Sequence, residues 1–157
     1  MTTPAPPKLP ALPKTWRPRR ARIVAFAIAV VVMVVLVVVA ILLPSGGGRP
    51  FGLFDRIGIV AVGAVVAGFL VRQGSVRLIA DEHGLDVVNL FRRRRLEWAE
   101  VLGVSLRPGD PWLLLDLSDG ETLAAMGIQA SDGPAAAVAA REVAALVADR
   151  SRTPRDD

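Results

Sequence analysis

The chain has 157 residues, 52% of them hydrophobic, a formal net charge of +4 and no cysteine. That length suits one modest domain with additions, and the lack of cysteine excludes disulfides, thiolate nucleophiles and Cys-based metal centres. Charge is segregated: residues 1–22 carry six Lys or Arg and no acid, whereas residues 72–157 carry 11 Arg against 14 acids. The basicity therefore belongs mainly to a tail, and the downstream part does not read as a nucleic-acid-binding domain.

Residues 1–22 read as a disordered, Pro-rich basic tail. Residues 23–43 then form a run of 21 uncharged, apolar residues. At about 1.5 Å rise per residue this reaches roughly 30 Å, the thickness of a bilayer core. Its many Val and Ile residues favour strand in water, but in lipid only a helix or a closed barrel satisfies every backbone group. The run does not alternate like a barrel strand, and it is longer than a signal-peptide core. It is expected to be transmembrane helix 1. Pro44, Ser45 and the glycines 46–48 break it, and residues 44–56 form a short external loop. A second apolar run at 57–71 is short for a span but pairs naturally with the first, so residues 57–72 are expected to be transmembrane helix 2. Gly63, Ala64, Ala67 and Gly68 give two overlapping small-xxx-small pairs, suited to close packing against helix 1 or, alternatively, to a dimer face. Lys and Arg counts near the span ends place both termini in the cytoplasm, which makes the chain a two-span protein of the cell membrane.

Residues 74–150 change character. Short strand candidates at 76–80, 85–91, 95–98, 101–106, 112–117 and 121–128 are joined by turn signals at 81–84, 107–111 and 118–120. Four consecutive arginines, Arg92, Arg93, Arg94 and Arg95, occupy the bend and the start of the return strand. Ser131, Asp132, Gly133 and Pro134 form a helix-start signature, with a capping side chain followed by Pro in the first turn. Ala136, Ala139, Val143, Leu146 and Val147 then share one helical face, with Arg141, Glu142 and Asp149 towards the other. Trp98, Val101, Trp112, Val143 and Leu146 are the expected domain core. Residues 151–157 are a frayed tail.

About six short antiparallel strands closed by one C-terminal amphipathic helix resemble the pleckstrin-homology (PH) plan. The run EHGLDVVNLFRRRRLEWAEVLGV is similar to the bacterial PH-like domains found behind one or two membrane spans. The nearest likeness is to the actinobacterial type named after low-molecular-weight protein antigen 6. It is carried by the Gly84-Leu85 strand start, the basic bend, Trp98 with Glu100 and Val101, the Asp119-Gly120 hairpin and the final helix. It covers about residues 74–150 and the membrane layout. It implies a two-helix transmembrane hairpin plus a PH-like β-barrel or sandwich, and it supplies no catalytic residue.

The residues themselves point away from catalysis. His83 is the single histidine and sits in a turn signature beside Asp81 and Glu82. Asp116, Asp119 and Glu121 lack the twelve-residue spacing of a calcium loop. The glycines 46–48 lack the Lys-Ser/Thr of a phosphate-binding loop. No cofactor, metal, small-molecule substrate or nucleic acid is indicated. On a strand Arg92 and Arg94 would point one way, Arg93 and Arg95 the other. The block reads either as a solvated hairpin tip or as a contact for anionic lipid or an acidic partner. The expected function is a non-enzymatic membrane-anchored module that binds anionic lipid or a protein partner at the cytoplasmic face. The alternative is a structural subunit assembled through its membrane helices with another protein or a second copy.

Overall fold

A computed structural model describes residues 9–44 and 51–151. The expectations for residues 1–8, for the glycines 46–48 and for the tail after residue 151 lie outside them. The chain divides into a helical unit, Arg20–Ser75, and a second unit made from the residues on both sides of it.

The helical unit is an antiparallel pair, α1 (Arg19–Leu42) and α2 (Leu53–Gln73). Both helices begin about four residues earlier than the apolar runs suggest. Pro18 immediately precedes α1, where its fixed φ suits a helix entry, and Arg19, Arg20 and Arg22 simply extend the first turn. At the start of α2 the Asp55 carboxylate accepts the Gly52 N–H at 2.8 Å, one of the orphan donors of a helix start. With 21 residues α2 is about 31 Å long, so the shortness of its uncharged stretch is no obstacle to a span. Both helices are long and apolar enough to cross a membrane. The seam buries Ala25, Ala29 and Ala40 of α1 and Gly63 of α2.

Among the described residues the second unit has seven strands, not six. They are β1 (Lys14–Trp16), β2 (Arg77–Asp81), β3 (Gly84–Val88), β4 (Arg93–Glu97), β5 (Val101–Ser105), β6 (Trp112–Leu117) and β7 (Thr122–Gln129), followed by α3 (Pro134–Arg150). They form a four-stranded sheet in the order β1-β2-β3-β4 and a three-stranded sheet β5-β6-β7, antiparallel throughout. This is a PH-like arrangement of two sheets and a closing helix.

The additional strand corrects the expected tail: Lys14–Trp16 is ordered, pairing with β2 from Lys14↔Ala80 to Trp16↔Leu78. Trp16 is 7% exposed and donates its indole N–H to Glu142 of α3 at 2.9 Å, beside a Lys14–Glu142 ion pair of 2.8 Å. Glu142, expected on the outer face of α3, is thereby turned towards β1. A three-residue strand among prolines is too short to show alternation, and its partners lie beyond both helices.

Two further corrections concern turns. The third strand stops at Val88, not at residue 91, and the turn falls on residues 89–92. There the Asn89 N–H donates to the Arg92 carbonyl at 2.9 Å. The Asn89 side chain leaves the ladder to bridge β7, donating to the Ala124 carbonyl at 2.6 Å and accepting the Met126 N–H at 3.0 Å. At the start of α3 the N-cap is Gly133 with no side-chain cap. The capping side chain expected from this run is not used, and Asp132 accepts the Arg19 backbone N–H at 3.0 Å. Pro134 does open the helix, and Ala136, Val143, Leu146 and Val147 face the core.

That core lies between the sheets and α3, with Leu78, Leu85, Leu96, Val101, Leu113 and Leu115 fully buried. Trp98 is 6% exposed and its indole N–H donates to the Asp81 carbonyl at 3.2 Å. Trp112 corrects the expected core: alternation along β6 turns Leu113, Leu115 and Leu117 inward and leaves Trp112 half-exposed. Where β7 crosses β2, a Cβ at Gly127 would collide with the backbone of Arg77 and Leu78.

Candidate membrane-facing site

Arg93, Arg94 and Arg95 lie on β4, and the strand alternation separates them as expected. Arg93 folds over Asp86, with Nε to Oδ1 at 2.9 Å and a terminal nitrogen to Oδ2 at 2.6 Å. The Asp86 side chain keeps only 5% exposure while the arginine above it keeps 71%. A buried carboxylate requires such a partner, so Arg93 serves as a lid. Arg95 grips Asp81 with two bonds of 2.6 Å. Those bonds, opposed by partial burial and aided by the His83 and Gly84 N–H groups, hold the Asp81 carboxyl down at about 2. Arg94 points to the opposite face and joins Asp119 at 2.9 Å and Glu121 at 2.8 Å, tying β4 to the β6–β7 turn.

Three of the four arginines are therefore paired with carboxylates, which corrects the picture of a uniformly solvated basic bend. Arg92 differs: it is exposed in the turn and has no ion pair among the described residues. Sequence reasoning missed the pairing because Asp81, Asp86, Asp119 and Glu121 come from separate turns and strands. Next to Arg92, Phe91 is 75% exposed. A recess of about 550 Å³ lies between residues 91–94 and residues 121–123.

In the helical pair, a Cβ at Gly63 would come within 2.9 Å of Leu36 and 3.3 Å of Met33, so Gly63 lies at a close approach of the two helices. Ala67, one turn on, is half-buried. Ala64 and Gly68 do not join this seam: Ala64 is exposed and a Cβ at Gly68 would meet nothing within 4 Å. The two overlapping pairs thus split between two faces, because successive small residues fall about 100° apart on a helix. At the far end Arg56 caps α1, donating to the carbonyls of Ala40, Ile41 (3.0 Å) and Leu43 (2.6 Å). Around the pair, Val30, Val31, Val34, Phe54, Val62 and Val65 are all more than half exposed.

Among the described residues no group of three or more His, Asp or Glu side chains could hold a metal ion. His83 stands in its turn, its N–H donated to Asp81 at 2.8 Å.

Residues 75–153 match the bacterial PH domain family model. The chain belongs to that family. Its PH domain begins just after α2, so the model match omits β1, the first strand of the four-stranded sheet. The uncharacterized proteins Rv1417 of Mycobacterium tuberculosis and Mb1452 of Mycobacterium bovis are each 35% identical over 143 residues, covering 88% of this chain and 93% of theirs. That likeness therefore includes the helical pair as well as the PH domain. No solved structure matches the chain, and neither the family nor these relatives indicates an enzyme.

Proposed function

We propose that this protein is a membrane-anchored, non-enzymatic PH module of the low-molecular-weight protein antigen 6 type. Its helices cross the cell membrane as a hairpin, and its PH domain stands on the cytoplasmic face, contacting anionic lipid or a protein partner. The observation that carries the reading is the pairing of β1, before α1, with β2, after α2. Strands in one sheet share a compartment, so an even number of spans must separate them. With the apolar surface of α1 and α2, that number is two. Orientation follows the basic residues: Arg17, Arg19, Arg20 and Arg22 flank the entry to α1 and Arg72 and Arg77 the exit from α2, as cytoplasmic flanks do. Each contributes about 1 kcal/mol near an anionic leaflet. This collar, more than the internally paired arginines of β4, is the electrostatic contact with lipid.

The test is a compartment-sensitive reporter fused after Asp157 and, separately, inserted among the glycines 46–48. A cytoplasmic C-terminus with an external loop is expected. An external C-terminus, or a loop in the same compartment as Asp157, would refute the reading. A second reading, a subunit assembled through its helices, is favoured by the outward face of Ala64 and Gly68, open to a neighbouring helix. Co-purification of a partner that is lost in Gly68→Leu would support it.

A further inference from the structure

We infer that the β3–β4 tip is an interfacial membrane contact, with Phe91 entering the headgroup region of the bilayer and Arg92 pairing with lipid phosphate. The inference rests on the membrane-anchored reading and adds a second, side-chain-specific contact to the helical anchor. Strand register carries it. Trp16 pairs with Leu78, Arg77 with Val88, and Val88 with Arg93, so these residues lie at one end of the four-stranded sheet. From that end the chain leaves β1 for α1 and re-enters β2 from α2. The links are short: three residues from Trp16 to Arg19 and four from Gln73 to Arg77. At about 3.3–3.6 Å per residue they span at most roughly 11 and 14 Å. A sheet end tethered twice at that length stays near the surface from which the helices emerge. The turn at residues 89–92 projects from β3 at this end, whereas the turn holding His83 is at the opposite end.

The side chains at the tip suit that position. Phe91, at 75% exposure, is the most exposed large apolar residue of the described PH domain. Such a ring is costly in water and favoured at the headgroup level. Arg92 is the member of the arginine block with no carboxylate partner among the described residues, while Arg93, Arg94 and Arg95 are neutralised. The tip therefore presents one apolar ring and one available cation, and the recess beside it is roomy enough for part of a headgroup.

The test uses the full chain in vesicles of phosphatidylcholine with phosphatidylglycerol. Because the chain has no cysteine, Leu90→Cys, His83→Cys and Val65→Cys each provide one thiol for an environment-sensitive fluorophore. Quenching is read with spin-labelled lipid from the membrane side and with iodide from water. The label at position 65 should be quenched by lipid, that at 83 by iodide, and that at 90 by lipid. Adding Phe91→Ser to Leu90→Cys should move its label towards iodide quenching, and Arg92→Gln should do so more strongly in these vesicles than in phosphatidylcholine alone. If position 90 behaves like 83 while 65 is in lipid, the tip does not touch the bilayer and the inference is overturned alone. If position 65 is also reached only by iodide, the helices are not in lipid, and both the anchored reading and the inference fall. Indifference of position 90 to Phe91→Ser would overturn the role given to the ring.

Discussion

Replacing Trp16 by Ala tests whether the segment ahead of the membrane helices belongs to the PH domain. Trp16 is 7% exposed, so nearly all of the roughly 200 Å² that an indole residue buries is out of water. At about 25 cal/mol per Å² that burial contributes roughly 4–5 kcal/mol before the retained methyl is subtracted. The substitution also removes the bond to Glu142, and core Trp→Ala changes cost about 3–5 kcal/mol. A domain of this size has only about 5–15 kcal/mol in total. With a urea slope of about 2 kcal/mol per M, the unfolding midpoint should fall by roughly 1.5–2.5 M. The assay is urea unfolding of the full chain in a mild detergent, followed by the fluorescence of Trp98 and Trp112. A midpoint within error of the unsubstituted protein would mean that β1 is not docked, and the argument for an even number of spans would fall with it.

Further expectations follow from the other contacts. Gly63→Leu should weaken the helical pair by about 1–3 kcal/mol, the usual cost of overpacking, because Leu36 and Met33 already crowd that position. Gly68→Leu should leave the pair's resistance to denaturing detergent unchanged, since its surroundings are open. Arg56→Ala should lower the helical pair's resistance to denaturing detergent by up to about 2 kcal/mol, the upper range for a cation at a helix C-terminus. Within the arginine block, Arg93→Ala should give the largest fall in melting temperature, because it strips the cover from Asp86, and Arg92→Ala the smallest. The Asp81 carboxyl is held at about 2 in the folded chain against an ordinary 3.8, so the folded state favours the ionised form. Its contribution is complete above about pH 4 and is lost as pH falls through about 2. Asp81→Asn should therefore flatten the acid limb of a melting-temperature profile below pH 4, and an unchanged limb would count against the Arg95–Asp81 pair.

The helical pair and most of the PH domain could be read from local pattern. A 21-residue apolar run, short alternating segments and turn residues are signals carried by neighbours in sequence, and so was the packing face of α3. Element ends were less legible, because the backbone continues a helix through Arg19 or Asp55 where hydropathy alone stops it. The candidate site was half legible. The arginines were conspicuous, but their acidic partners were not, since Asp81, Asp86, Asp119 and Glu121 reach β4 only once strands are paired. Trp98 is buried in the 3-10 turn that follows β4, whereas the phase of β6 leaves Trp112 half-exposed.

Local composition alone dictates two membrane-length helices followed by a small antiparallel domain, because hydrophobic period and turn chemistry act over a few residues. Only the folded chain decides that the sheet begins before the first helix, that three arginines of the block are paired with carboxylates, and that Phe91 stands at the sheet end joined to the helices. Each depends on strand register between residues far apart in the chain, and register is set by which side chains the two sheets and α3 can bury together.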